Sequence, residues 1–197
     1  KKITFCFLFL GKFMNMFQNG YYSSEELSDV GFKELGDNVK IAKNCIIIGP
    51  ENISIGRNVQ IDGGVYIIAA TGYMEIGNHI HISANCYFSC SGGIILKDYC
   101  GLASRVTIYS SSDDYTGEYL TNPTVPQEFR KLYPELVTLG EHVIIGTGTA
   151  VLPGSNIGQG CSVGAMSLVT RNLEEWGVYF GSPAKRIKNR KKDLLKY

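Results

Sequence analysis

Between Val137 and Thr170 an aliphatic residue returns every six positions: Leu139, Ile145, Val151, Ile157, Val163 and Val169. Glycine follows four of these anchors, at 140, 146, 158 and 164, and a small or branched residue stands four positions after the first five (Val143, Thr149, Ser155, Cys161, Ser167). An amphipathic helix repeats every 3.6 residues and a one-sided strand every 2.0, so neither accommodates a period of six. One short strand plus one corner does, and three such units close a triangular coil. A repeat of this kind governs the fold before any single motif is weighed.

The pattern also runs upstream. Leu35, Ile41, Ile55, Ile61, Ile76, Ile82, Leu96 and Leu102 are anchors, and Val39, Cys45, Val59, Val65, Ile80, Cys86, Cys100 and Val106 take the small position. Coils then start at 35, 55, 76, 96, 139 and 157, with spacings of 20, 21, 20, 43 and 18. If 18 residues make a bare coil, the early coils carry two or three extra residues on their third side. The long spacing holds one coil plus an insertion over residues 110–135. That insertion is punctuated by Gly117, Pro123, Pro126 and Pro134 and carries Tyr115, Tyr119, Tyr133 and Phe129. An ordered arm that leaves the prism is expected there.

These hexads, with the closing Gly181-Ser182-Pro183-Ala184-Lys185-Arg186-Ile187, resemble the hexapeptide-repeat acyltransferases. That family includes galactoside, maltose and serine acetyltransferases and the sugar acetyltransferases of surface-polysaccharide pathways. The resemblance covers about residues 35–187 and implies an all-β fold, a left-handed parallel β-helix. Periodicity alone shows a coil and not its hand, and the implied hand departs from the right-handed crossover rule. The resemblance further implies a homotrimer whose arm reaches a neighbouring subunit. It implies acetyl-CoA as co-substrate, a sugar or nucleotide-sugar acceptor, a role in O-antigen or capsule assembly and a cytoplasmic location. The chain divides into an N-terminal extension and helical cap (1–34), the β-helix acyltransferase domain (35–182) and a C-terminal helix (183–197).

For 197 residues one domain is the default, and 44% hydrophobic residues supply a core. A net charge of +1 argues against nucleic acid as the main partner. Four of the six cysteines occupy the small position, no C-x-x-C occurs, and the thiols read as core fillers in a reducing compartment. The apolar run Ile3–Leu10 is too short to span a membrane and lacks a small-residue cleavage site, so no stable insertion is expected. It is open whether that run packs on the prism, extends from it or touches a membrane surface. Ser23 and Glu26 form a capping-box pattern, predicting a helix from Ser24 to Val30 that Gly31 ends. Leu27, Val30 and Phe32 would cover the first coil, whose strands otherwise invite pairing. After Pro183 a helix over Ala184–Lys196 is predicted, with a basic face.

Acyl transfer from a thioester needs a bound donor, a nucleophile, a proton acceptor and donors to the oxyanion. The resemblance puts the CoA groove at Gly146-Thr147, Gly164-Ala165 and Thr170-Arg171, with Lys185, Arg186 and Lys188 at the phosphates or adenine. Those cations also fit an ordinary solvated face. Many family members carry a histidine on the coil before the arm. Here Val106-Thr107-Ile108 leads into Tyr109-Ser110-Ser111-Ser112-Asp113-Asp114-Tyr115, and Asp113 falls at about the histidine's place with Asp114 beside it. A carboxylate could be the base; an amine acceptor could need only positioning; or the pair could open an Asx turn. Ser111, Tyr115 and Asn122 are candidates for acceptor binding.

His79 and His142 share one corner two coils apart with Tyr99 between them, and His81 lies on an outer face. Three histidines on this fold resemble the γ-class carbonic anhydrases, which bind zinc between subunits. Two strand spacings separate His79 and His142 by roughly 10 Å, too far for one metal, so no metal is expected and His142 or His79 is an alternative base. Trp176 and Tyr179-Phe180 either pack the last coil or stack on adenine. Two other functions stay open: a catalytically silent β-helix that binds carbohydrate, and a metal-dependent hydratase.

Overall fold

The computed structural model describes residues 20–197, so the Ile3–Leu10 run and Cys6 lie outside the described residues. The hexads form short strands on three faces. The first face stacks Glu34–Leu35, Ile53–Ile55, Met74–Ile76, Ile94–Leu96, Val137–Leu139 and Asn156–Ile157 in parallel. The third stacks six strands from Ile46–Ile48 to Leu168–Val169. The second, nine-stranded, runs from Lys40–Ala42 up to Gly177–Phe180, with antiparallel strands at both ends. Anchors pair with anchors: Ile55 faces Ile76, Ile76 faces Leu96, Leu96 faces Leu139 and Leu139 faces Ile157. The coil starts expected from the spacing are thus the observed ones.

Inside the prism the anchors beyond Leu35, which is partly buried, are buried, Ile61, Leu96, Leu139 and Ile145 among them. The small position carries a second function. Cys86 Sγ donates to Ala103 O, Cys100 Sγ to Gly140 O and Thr149 Oγ1 to Gly164 O, each on the next coil. A thiol or hydroxyl there fills a tight corner and supplies a donor to a buried carbonyl. Cys86, Cys100 and Cys161 are buried as expected, while Cys45 is half-buried.

The corner between the first and second faces stacks one left-handed residue per coil: Asn38, Asn58, His79, Tyr99 and His142, with φ between 55° and 61°. That conformation disfavours a Cβ. Ring stacking offsets the cost, with ring centroids 5.1 Å apart for His79 and Tyr99 and 4.9 Å apart for Tyr99 and His142, the planes nearly parallel. The column then passes through Gly160 (φ 66°) to Trp176 (φ 52°), whose indole lies where a Gly160 side chain would project. Trp176 therefore packs the last coil.

Both ends are capped. Ser23 and Glu26 make the reciprocal capping box, but the helix spans only Ser24–Leu27. Leu27 is buried and Phe32 packs on the core, whereas Val30 is exposed. Ser24 Oγ ties the helix down, donating to Gly36 O and accepting from Val39 N. The C-terminal helix is corrected. Lys185–Asn189 is a strand folded back antiparallel on Gly177–Phe180, and only Asp193–Lys196 makes a 3-10 turn. The Gly181-Ser182-Pro183 reversal brings the strand against an edge that would otherwise be open. Arg190 then clamps the coils beneath, its Nη1 donating to His142 O, Gly160 O and Cys161 O.

Gly160→Ala is expected to lower stability by about 1–3 kcal/mol, since it adds left-handed strain and displaces the indole. Trp176 is the sole tryptophan, so fluorescence-monitored denaturation reads the site directly.

Candidate active site

The arm grows from the corner between the third and first faces. Ser110, fully buried, forms its base: Ser110 Oγ donates to Ser89 O and accepts from Gly92 N, while Ser110 O accepts from Glu135 N. Between these two residues runs a hairpin of Ser111–Asp113 against Leu132–Pro134.

The two aspartates at the arm's root are not equivalent. Asp114 is 5% exposed, and its carboxylate accepts from Thr116 N (3.1 Å), Thr116 Oγ1 (2.8 Å), Gly117 N (2.9 Å) and Tyr119 N (3.1 Å). These donors, the Thr116 hydroxyl first, hold its pKa down to about 2. A carboxylate so held is a poor proton acceptor near neutrality. Asp114, expected as a candidate base beside Asp113, is instead the anionic centre of a turn. Asp113 is half-buried on the hairpin opposite Leu132, and among the described residues its carboxylate has no hydrogen-bond partner.

Elsewhere on the arm, Ser111 pairs with Pro134 and Tyr115 projects with 92% exposure. Asn122 Oδ1 is taken by Thr124 N and Oγ1, leaving only its amide nitrogen for a ligand. One feature was not legible in the sequence: Lys131 Nζ lies over both Tyr119 and Tyr133, 5.3 and 4.9 Å from the ring centroids. No short-range spacing signals it, because the hairpin brings the three residues together.

Of the expected CoA residues, Gly146-Thr147 and Gly164-Ala165 share the corner between the second and third faces, whereas Thr170-Arg171 follow the third face and Lys185, Arg186 and Lys188 lie on the folded-back strand of the second. A Cβ on Gly146 would collide with Ala165 N, so glycine is required there by coil packing. Gly146 N donates to Val163 O and Gly148 N to Ser104 O; one coil up, Gly164 N donates to Tyr179 O and Met166 N to Thr147 O. Thr147 Oγ1 is bonded to Ser104 O at 2.6 Å. Thr170 and Arg171 are exposed just after Leu168–Val169. Lys185 and Lys188 are exposed on the folded-back strand, whereas Arg186 is held by Glu174 and Asn189 and lies over Tyr179.

His142 does not join the arm. It follows strand Val137–Leu139, one corner beyond the arm's exit, and its ring is used in the Tyr99 stack. His81 Nε2 pairs with Asp62 Oδ2 at 2.8 Å. Burial pushes Cys100 up to about 12 and Cys86 up to about 11, so these thiols stay protonated.

A triangular parallel β-helix with an arm on its fourth coil, and with carboxylates where a histidine is usual, is an acyl-transfer scaffold of distinct type. No family model matches the chain. A dTDP-4-amino-4,6-dideoxy-D-glucose acyltransferase of Escherichia coli is 41% identical over 175 residues, 89% of this chain and 91% of that protein. A putative lipopolysaccharide biosynthesis O-acetyl transferase, WbbJ, of Escherichia coli K12 is 31% identical over 144 residues, 70% and 69% of the two chains. AntD, an N-acyltransferase from Bacillus cereus solved with dTDP and 3-hydroxybutyryl-CoA, superposes with a TM-score of 0.85 at 38% identity, over 90% of this chain and 94% of that one. The chain belongs to the hexapeptide-repeat acyltransferases, in their sugar-modifying branch, and its helix is left-handed.

Because its donors hold the folded-state pKa of Asp114 below its ordinary value of 3.8, its contribution to arm stability is full above about pH 4 and is lost as pH falls toward about 2. In hydrogen exchange across that window, the Gly117 and Tyr119 amides are expected to lose protection in the native chain. In Asp114→Asn they are expected to be weakly protected throughout.

Proposed function

We propose that the chain moves an acyl group from acyl-CoA to the amino group of a dTDP-linked 4-amino-4,6-dideoxyhexose. The observation that carries this is 41% identity, over nearly the whole of both chains, to an enzyme named for that reaction. The site supports it. An amine is nucleophilic once neutral, so a histidine that deprotonates a hydroxyl is dispensable. The amine attacks the thioester carbonyl, the C–S bond breaks, and the coenzyme leaves as a thiolate. Asp113, whose carboxylate at the arm's root has no hydrogen-bond partner among the described residues, takes the ammonium proton and passes it to the sulfur, leaving an amide and free CoA thiol.

The donor lies along the corner of Gly146-Thr147 and Gly164-Ala165. The inter-coil ladder uses the first and third N–H of each corner, so those of Thr147 and Ala165 are the ones offered to the pantetheine amides. Lys185 and Lys188 meet the phosphates. Ser111, Tyr115 and Asn122 stay as acceptor contacts, and the reaction takes place in the cytoplasm, where both substrates are made.

The working form is a homotrimer joined along the third face. The outward residues of that face include Ile48, Tyr66, Tyr87 and Tyr109 and no charged residue from Ile46–Ile48 through Leu168–Val169, unlike the first face with Glu34 and Glu75. Ile48 and Tyr66 are 46% and 42% exposed in the single chain, as expected of a surface awaiting a copy of itself. The arm leaves at the end of this face, after Thr107–Tyr109, so in such a trimer its root meets a second subunit and the site is composite.

Thiol release from acetyl-CoA and 3-hydroxybutyryl-CoA is expected with dTDP-4-amino-4,6-dideoxyglucose and not with its 4-hydroxy counterpart, and Asp113→Asn should lower kcat at least ~100-fold. Release with the hydroxyl acceptor alone would mean O-acylation; no release with any acceptor, and no CoA binding, would leave a silent carbohydrate-binding helix. In sedimentation, Ile48→Lys with Tyr66→Glu is expected to turn a trimer into monomers and to abolish turnover.

A further inference from the structure

The arm combines two anchors that meet at one residue. Asp114, through Oδ2, holds the backbone N–H of Tyr119. The ring of Tyr119 is one side of the sandwich around Lys131, and the other side, Tyr133, is the cross-strand partner of Ser112. Lys131 itself precedes Leu132, the partner of Asp113. The path Asp114–Tyr119–Lys131–Tyr133–Ser112 therefore closes a ring around Asp113, built from one buried carboxylate with four donors and one cation between two aromatic faces.

We infer that Asp114 is a positioning residue for the acyl transfer, one that never exchanges a proton with substrate but pre-sets the Asp113 carboxylate by locking the arm before ligands arrive. This rests on Asp113 being the proton acceptor. The arm so built is a rigid bracket and not a lid that closes. A buried carboxylate is costly unless fully bonded, and here every bond goes to the backbone or hydroxyl of the next five residues. That network contributes nothing to the prism, whose coils stack without it, so its effect falls on the arm. An Asn side chain keeps one acceptor oxygen and loses the other, releasing Gly117 N and Tyr119 N. The shift reaches Asp113 through one peptide bond and through the sandwich, and misplacement by about 1 Å costs on the order of 100-fold in rate.

The experiment compares Asp114→Asn, Thr116→Val and Asp113→Asn with the native chain, using dTDP-4-amino-4,6-dideoxyglucose and acetyl-CoA. Asp114→Asn is expected to lower kcat ~10- to 100-fold while KM for acetyl-CoA changes less than about threefold, and Thr116→Val, which removes one donor, to lower kcat by less in the same manner. Trypsin cleavage after Arg130 or Lys131 should quicken at least about tenfold in Asp114→Asn, with the prism intact. Native kcat in a folded Asp114→Asn, or a loss confined to KM for acetyl-CoA, overturns the inference. If that variant does not fold, native kcat in Thr116→Val overturns it instead. Should the native chain not turn over this pair of substrates, the cleavage rates decide, and equal rates overturn it. Failure of the underlying reading looks different: Asp113→Asn would retain native kcat while Asp114→Asn still opens the arm to trypsin.

Discussion

One backbone hydrogen bond, repeated up the prism, constrains everything else. The N–H after each first-face anchor donates to the anchor carbonyl of the next coil: Gly36 to Ile55, Gly56 to Ile76, Gly77 to Leu96, Lys97 to Leu139 and Gly140 to Ile157, all at 2.7–2.9 Å. Such a ladder tolerates only coils of matching cross-section. It forces short strands, two or three residues each on the first and third faces, small residues at inward corners and glycine where backbones approach. The Lys97-to-Leu139 bond has the same length as its neighbours although the whole arm lies between those residues. The stack therefore continues across the insertion as if it were absent.

That continuity explains where chemistry can be built. Corners between the first, second and third faces are locked by the ladder, while the corner from the third face back to the first already carries extra residues in the early coils, as at Pro50–Asn52. An arm can leave there without disturbing any coil. Ser110 and Glu135 close its neck, so the arm is fastened to a rigid wall, and a carboxylate at its root inherits that rigidity. Two adjacent aspartates then separate by environment: one is saturated with donors, and the carboxylate of the other has no hydrogen-bond partner among the described residues.

The hexads made the fold legible. Coil starts, the insertion and the shared corner of His79, Tyr99 and His142 were implied by spacing, because a period of six can be satisfied in few ways, and the capping box by Ser23 and Glu26. The ends were less legible. Ala184–Lys196 has the composition of a basic helix, yet Lys185–Asn189 is a strand, since an unpaired edge outweighs helix propensity over so short a segment. The helix expected to reach Val30 stops at Leu27, because the chain must turn to enter the first strand at Glu34.

By itself the sequence determined a stacked coil with an arm at a known place, a lack of histidine near that arm, and a family. These follow from short-range repetition, which any reader of the chain can see. What the two aspartates do was decided only by tertiary structure. Asp113 and Asp114 are identical in type and adjacent in sequence, and their difference comes from whether a turn five residues long folds its donors onto one carboxylate. The Lys131 sandwich has the same origin. It depends on residues that only a closed hairpin brings together.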